Sequence, residues 1–285
     1  MSPHSQKVSF SELAQRYKVL FFDAYGVLKS SSGVIAGVTD VLAWLGGIGK
    51  DIYVVTNDAS RSPQAMAHAY THPRHGELIG SSRIISSGLL AKEFLRAKVK
   101  SGKVAYFGKP AAAFYIESAG LEAVSVADCR DGSELAAFAF LDDEGFDWFR
   151  DLNSAVNLLR KVNIPVVIAN SDLAYPVNGS EVGVAVGSLA TMVESIVAKT
   201  FVRFGKPDAQ MFSYAFACAH ANDETLTKAD VLMVGDTLKT DILGANAFGI
   251  DTALVLSGNT PAEAVDVAIA ASGIIPTYVC DSIVT

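Results

Sequence analysis

Short apolar runs, each closed by Asp, Gly or Asn, recur along the chain: KVLFFDAYG, DIYVVTND, KVAYFGKP, AAFAFLDD, IPVVIANSD, KADVLMVGD and IDTALVLSG. They are rich in β-branched and aromatic residues and apolar throughout rather than alternating, the pattern of strands covered on both faces. Helix-like segments separate them, so an α/β fold with a largely parallel sheet is predicted. In such sheets ligands sit beyond the carboxyl ends of the strands. Asp23, the stretch Thr56-Asn57-Asp58 and the pair Gly235-Asp236 all fall there.

The intervening segments support this reading. GVTDVLAWLGGIGK carries apolar residues at helical spacing and ends in glycines suited to a C-cap. TPAEAVDVAIAASG suggests a capping box with Thr260 as N-cap, Pro261 at N1 and Glu263 at N3. No long low-complexity linker divides the chain, so a second domain is expected to be inserted into the first.

At 285 residues the chain can form one large domain or two modest ones. Half the residues are apolar and 19% are charged, which indicates a folded protein. A net charge of −7 and a pI near 5.2 exclude a general attraction to nucleic acid or to an anionic membrane surface. An anionic substrate must therefore be held locally, by a metal, a lysine or backbone N–H groups. Cys129, Cys218 and Cys280 show no CxxC spacing, and the N-terminus lacks an apolar signal core. A reduced, cytoplasmic setting without membrane spans is the expectation.

Several polar groups invite a functional reading of their own. FGKP occurs at Phe107 to Pro110 and again at Phe204 to Pro207. Only the second leads through a helical segment to Gly235-Asp236, so one copy at most is expected at the site. Asp142, Asp143 and Glu144 are read as a solvated turn, and His68, His72 and His75 as a loop without metal-ligand spacing.

Asp23 in FDAYGVL, Thr56 in VVTND, Lys206 in FGKPD, and Asp236 with Asp241 in VGDTLKTD stand in the order of four motifs. In this they resemble the haloacid dehalogenase (HAD) superfamily. SSGLLAKEFL, FGKPDAQMF and IPTYVCDSI are further similar to its class IIA branch of NagD-like sugar and nucleotide phosphatases. The resemblance implies a Rossmann-like parallel-sheet core, residues 1–87 and 189–285, with an inserted α/β (C2-type) cap at 88–188. It implies Mg²⁺ held by Asp23, the Tyr25 carbonyl, Asp236 and Asp241, with Asp23 as nucleophile, and Lys206 and Thr56 as catalytic partners. Gly26, Asn57 and Asp58 in the core, and Asn170 and Asp172 in the cap, are the implied substrate-binding residues. A small phosphorylated metabolite is the implied partner, and a homodimer is an expectation of the same kind.

One position departs from the pattern. Phosphatases of this superfamily usually carry Asp two residues after the nucleophile, as acid toward the leaving oxygen and base toward water. Here that residue is Tyr25, whose phenol can donate a proton but is a poor base near neutrality. The resemblance therefore implies slow, Mg²⁺-dependent phosphomonoester hydrolysis through an aspartyl phosphate. The alternative is a catalytically silent protein that binds phosphate ligands. A dehalogenase fits less well, because that chemistry has no need of the paired acids.

Overall fold

The apolar runs from both ends of the chain meet in one sheet. A computed structural model describes residues 6–129, 132–177 and 181–284. Its larger sheet has seven parallel strands, in the order Gln6–Lys7, Tyr278–Cys280, Asp251–Val255, Val231–Gly235, Val19–Phe22, Asp51–Thr56 and Ile84–Ser86. From Val19–Phe22 the chain builds outward to Ile84–Ser86, then returns on the other side with Val231–Gly235. The strand order thus reverses between Val19–Phe22 and Val231–Gly235, and such a reversal opens a crevice beyond the strand ends. Phe22 pairs with Val234, and the Asp23 N–H donates to the Val234 carbonyl at 2.9 Å. The residues just past both strands therefore open onto the same crevice.

The continuous apolar runs are explained by burial on both faces. Leu20, Phe22, Val54, Leu232 and Val234 pack with Phe10, Val38, Leu42 and Leu45, whereas Phe21, Tyr53, Val55 and Met233 pack with Met211, Phe212 and Ala215. Alternate residues point to opposite faces of a strand, so a two-sided core requires every position to be apolar. Each such Phe, Leu or Val contributes about 1.5–3 kcal/mol through burial. The predicted helix Val38–Gly47 forms and ends as its glycines suggest. Gly49, at φ 73°, lets its own N–H reach the Gly46 carbonyl and the Lys50 N–H reach the Leu45 carbonyl, a Schellman arrangement.

A second parallel sheet is inserted after Ile84–Ser86. Its order is Glu122–Ser125, Lys103–Phe107, Leu135–Phe140, Val166–Ile168 and Val202–Arg203. One face carries Phe138 and Phe140 against Ala155, Leu159, Val186, Ala190 and Val193. The other, with Val104, Tyr106 and Ala139, joins the apolar cluster of the larger sheet through Leu90, Ala91 and Leu95 of helix Ser87–Lys98. The boundary expected after Ser188 falls inside helix Val186–Val197, whose buried residues pack on the second sheet. The last strand of that sheet is Val202–Arg203, so the segment that builds it runs to Arg203.

Tyr115 joins the two units. It is fully buried, donates from its hydroxyl to the Arg61 carbonyl at 2.7 Å and shares a 2.7 Å hydrogen bond with Ser86 Oγ. Its ring lies where a side chain on Gly88 would project, 2.5 Å from an added Cβ. Tyr115→Phe leaves the buried Ser86 hydroxyl without this partner, so a loss of about 1–3 kcal/mol is expected in urea unfolding.

The helix at Thr260 differs from expectation. It begins at Val265, with Ala264 as N-cap. The Thr260 hydroxyl instead donates to the Asp236 carbonyl at 2.7 Å. The capping group is thus engaged at the strand end, and the intervening residues form turns.

Candidate active site

Four charged side chains converge in the crevice. Asp23, whose side chain is 14% exposed, places Oδ1 2.6 Å from Lys206 Nζ, and the same oxygen accepts the Ala24 N–H at 2.6 Å. Lys206 is buried, and its ammonium also lies 2.7 Å from Asp241 Oδ1. Asp236 accepts from Thr237 Oγ1 at 2.8 Å and from the Asn259 N–H at 2.7 Å. Asp241 sits in a π-helical turn, Leu238–Ile242, which begins after Asp236 and Thr237 beyond the strand end. Its Oδ2 accepts the Thr237 N–H at 3.0 Å. One oxygen each from Asp23, Asp236 and Asp241 lies within 4.8 Å of the others, the one such acidic, histidine or cysteine group among the described residues.

Charge crowding sets the electrostatics. Burial first, and Asp23 second, raise the Asp236 carboxyl above the usual carboxylate range. Burial raises Asp241 too, against the pull of Lys206 and with Asp23 and Asp236 adding to the effect. For Lys206 the balance runs the other way: burial would lower it, but Asp23, Asp241 and Asp172 together hold it above its ordinary value. Asp241 Oδ1 is buried and lies against the Lys206 ammonium, while Asp236 and Asp23 bring two more carboxylates to the same point. Three carboxylates that each bring one oxygen to within 4.8 Å of the others form an all-oxygen set that fits a hard divalent cation such as Mg²⁺.

Glycines leave room for these carboxylates. An added Cβ would lie 2.0 Å from Asp236 Oδ2 at Gly26, 1.9 Å from it at Gly258, and 2.3 Å from Asp241 at Gly235. Gly26 also has φ +77°, a conformation that L side chains rarely adopt. Gly26→Ala is therefore expected to cost about 1–3 kcal/mol in strain. It should also weaken divalent-cation binding by displacing Asp236, as calorimetric titration would detect.

A cavity of about 610 Å³ opens above the carboxylates, within the range of small-molecule sites. Asp23, Tyr25, Thr56, Asp58, Asn170 and Asp172 all line it. Gly26 and Asn57, expected to touch substrate, do not. Gly26 lies behind Asp236, and Asn57 is buried, accepting the Lys206 N–H at 2.7 Å and donating to the Lys206 carbonyl at 3.0 Å and to Asp172 Oδ1 at 2.8 Å. Thr56 Oγ1 accepts the Asp58 N–H at 3.2 Å. Asp58 pairs with Lys29 at 3.0 Å and accepts from Ser60 N and Oγ. Burial would raise Asp58, but Lys29 and Ser60 hold it below the usual range. The Tyr25 ring lies 4.2 Å below Lys29 Nζ and 5.9 Å from the ring of Tyr175, which comes from the inserted unit.

Other cavity residues were not signalled by the four motifs. Lys109, in the first FGKP copy, lines the cavity, contrary to the expectation that this copy lies elsewhere. Both copies follow strands of the second sheet, Lys103–Phe107 and Val202–Arg203, and both therefore emerge at its carboxyl end. Asp142 and Asp143 also line the cavity, and Asp142 is buried, not solvated. Burial, then Asp143, pushes the Asp142 carboxyl up to about 6. Arg61, Tyr175 and Lys239 are also in the wall. Of the histidines, His72 pairs with Asp40 at 3.1 Å and packs on His75 beside a separate depression lined by Trp44.

The known proteins that this chain is similar to decide its family. The family model for haloacid dehalogenase-like hydrolases matches residues 20–122, and an HAD-hydrolase-like model matches residues 203–285. Glycerol-3-phosphate phosphatase of Gallus gallus is 30% identical, covering 93% of this chain and 89% of that protein. The chain belongs to the HAD superfamily. Among solved structures, this HAD protein is similar to a possible sugar phosphatase of the superfamily from Cytophaga hutchinsonii, with 47% identity, a TM-score of 0.91 and 99% coverage of both chains. It also resembles a glycerol phosphate phosphatase from Mycobacterium tuberculosis in complex with magnesium, with 25% identity, a TM-score of 0.73, and coverage of 95% of this chain and 77% of that one.

Proposed function

We propose that this HAD protein is a Mg²⁺-dependent phosphatase that hydrolyses a small phosphomonoester, of the sugar phosphate or nucleotide class, through an aspartyl phosphate on Asp23. The observation that carries the reading is the convergence of Asp23, Asp236, Asp241 and Lys206 at the strand-order reversal, beneath the cavity. Asp23, Asp236, Asp241 and the Tyr25 carbonyl would hold Mg²⁺, which when bound neutralises charge so that carboxylate and phosphate can approach. Asp23 attacks phosphorus, Lys206 offsets the negative charge that gathers there, and the Thr56 hydroxyl holds a phosphoryl oxygen. Splitting one displacement into two lowers the barrier of each.

The relatives named as phosphatases support an enzyme over a silent phosphate binder. A magnesium complex of one of them supports the choice of cation. The test is phosphate release from p-nitrophenyl phosphate and a panel of sugar phosphates and nucleotides, before and after treatment with EDTA. Turnover should vanish with the chelator and return with added Mg²⁺. A protein that binds phosphate but turns over no ester, with or without the cation, would favour the silent reading.

A further inference from the structure

With Tyr25 in place of a carboxylate, the leaving oxygen still needs a proton and the attacking water still needs a base. Building on the phosphatase reading, we infer that Asp172, from the inserted unit, is the general acid and base of this enzyme.

Asp172 follows strand Val166–Ile168 at the carboxyl end of the second sheet and lines the same cavity as Asp23, Tyr25 and Thr56. Asn57 fixes its position. That single amide donates to Asp172 Oδ1 at 2.8 Å and to the Lys206 carbonyl at 3.0 Å, while its oxygen takes the Lys206 N–H at 2.7 Å. Asp172 is thereby tied to the loop whose ammonium touches Asp23 at 2.6 Å. The hydrogen bond from Asn57 uses Oδ1, leaving Oδ2 for a reacting oxygen.

Competing groups are committed elsewhere. Tyr25 packs against Tyr175 beneath Lys29. Asp58 is held by Lys29 and Ser60, Glu144 pairs with Lys109 at 2.7 Å, and Asp143 accepts from the Tyr175 hydroxyl at 3.3 Å. Asp142 has both oxygens engaged by backbone of its own unit, Oδ1 by the Asp143 N–H at 3.0 Å and Oδ2 by the Lys109 N–H at 3.4 Å. Of the cap carboxyls at the cavity, Asp172 is thus the one tied, through Asn57, to the loop that carries Lys206. Burial foremost, opposed by Lys206 and assisted by Asp23 and Asp58, pushes its carboxyl up to about 6, suited to giving and taking a proton near neutrality.

The proton balance closes. As an Asp23 oxygen bonds to phosphorus and the ester P–O bond breaks, protonated Asp172 gives its proton to the leaving oxygen, which departs as the alcohol. Water then attacks the aspartyl phosphate, passing its proton to the Asp172 carboxylate. The Asp23–phosphorus bond breaks, phosphate leaves, and Asp172 is again protonated.

Leaving-group dependence separates this role from a purely structural latch. p-Nitrophenolate leaves without a proton, but propoxide does not. For Asp172→Asn in Mg²⁺, rapid mixing with p-nitrophenyl phosphate should retain a burst of p-nitrophenol at the wild-type rate, followed by turnover slowed about 10²–10⁴-fold. Propyl phosphate should show no burst and a similar loss. Asp172→Glu should recover part of the propyl phosphate activity, as should Tyr25→Asp added to Asp172→Asn. Equal loss of the burst for both esters, or no loss for either, would overturn the assignment while leaving the phosphatase reading intact. An Asp23→Asn protein as active as wild type would overturn that reading and this one together.

Discussion

Asp23→Asn is expected to lower turnover of every phosphomonoester by about 10⁴–10⁶-fold, the scale seen when a covalent nucleophile is removed. The amide is nearly the same size as the carboxylate, so the loss reflects chemistry and not a hole. It removes the attacking anion, and it takes away the charged partner of Lys206 at 2.6 Å. Folding should survive, because Asp241 still pairs with that lysine at 2.7 Å. Relief of repulsion against Asp236 and Asp241 also offsets part of the lost attraction, since Asp23 raises both of those groups. Steady-state kinetics with unfolding curves for both proteins would check the pair of expectations. A variant that unfolds much more easily would mean that Asp23 serves the fold more than the reaction.

Lys206→Met carries the second large effect, and here stability should fall along with activity. The ammonium is buried between two carboxylates, with a third within their reach. Removing one partner from a buried ionic cluster typically costs about 3–5 kcal/mol, because the remaining charge is left uncompensated. Asp236 and Asp241 are already raised and can take up protons, which places the expected loss at the lower end of that range. Mg²⁺ should recover more stability in the variant than in wild type, because it would supply the missing positive charge. Lys206→Arg should not restore turnover, since the closed pocket holds a point charge and offers no width for a planar guanidinium. Thermal unfolding with and without Mg²⁺, for all three proteins, reads each of these outcomes.

The parts of this architecture that were legible in the sequence are those with local signals. Runs such as KVLFFDAYG and KADVLMVGD suit two-sided strands and form them, and their terminal acids lie beside the strand-order reversal. The helix Val38–Gly47 and its glycine stop were equally local. What escaped depended on contacts between distant residues. The resemblance set Asn57 among the substrate contacts, and nothing nearby in the chain shows that its side chain bonds to Lys206, 149 positions away. Asp142 read as solvated because the residues packed on it, Gly108 and Lys109, come from the neighbouring strand end, 33 positions back in the chain at Lys109. The strand Val202–Arg203 is two residues long, too short for any periodicity, so the end of the insertion could not be found at that point. Thr260 carried the signal of a helix cap, but the Asp236 carbonyl claims its hydroxyl. Lys109 was set aside on chain order alone, which says nothing about the direction in which parallel strands of one sheet deliver their loops.

The central claim is that the side chain of Asp23 becomes covalently phosphorylated during turnover. Quenching the wild-type protein within milliseconds of mixing with p-nitrophenyl phosphate and Mg²⁺, then reducing with borohydride, converts an aspartyl phosphate to homoserine that peptide mass spectrometry can locate. The account predicts homoserine at position 23, dependent on Mg²⁺ and absent from Asp23→Asn. Phosphate release with Asp23 unmodified, or with the label on another carboxylate, would contradict it.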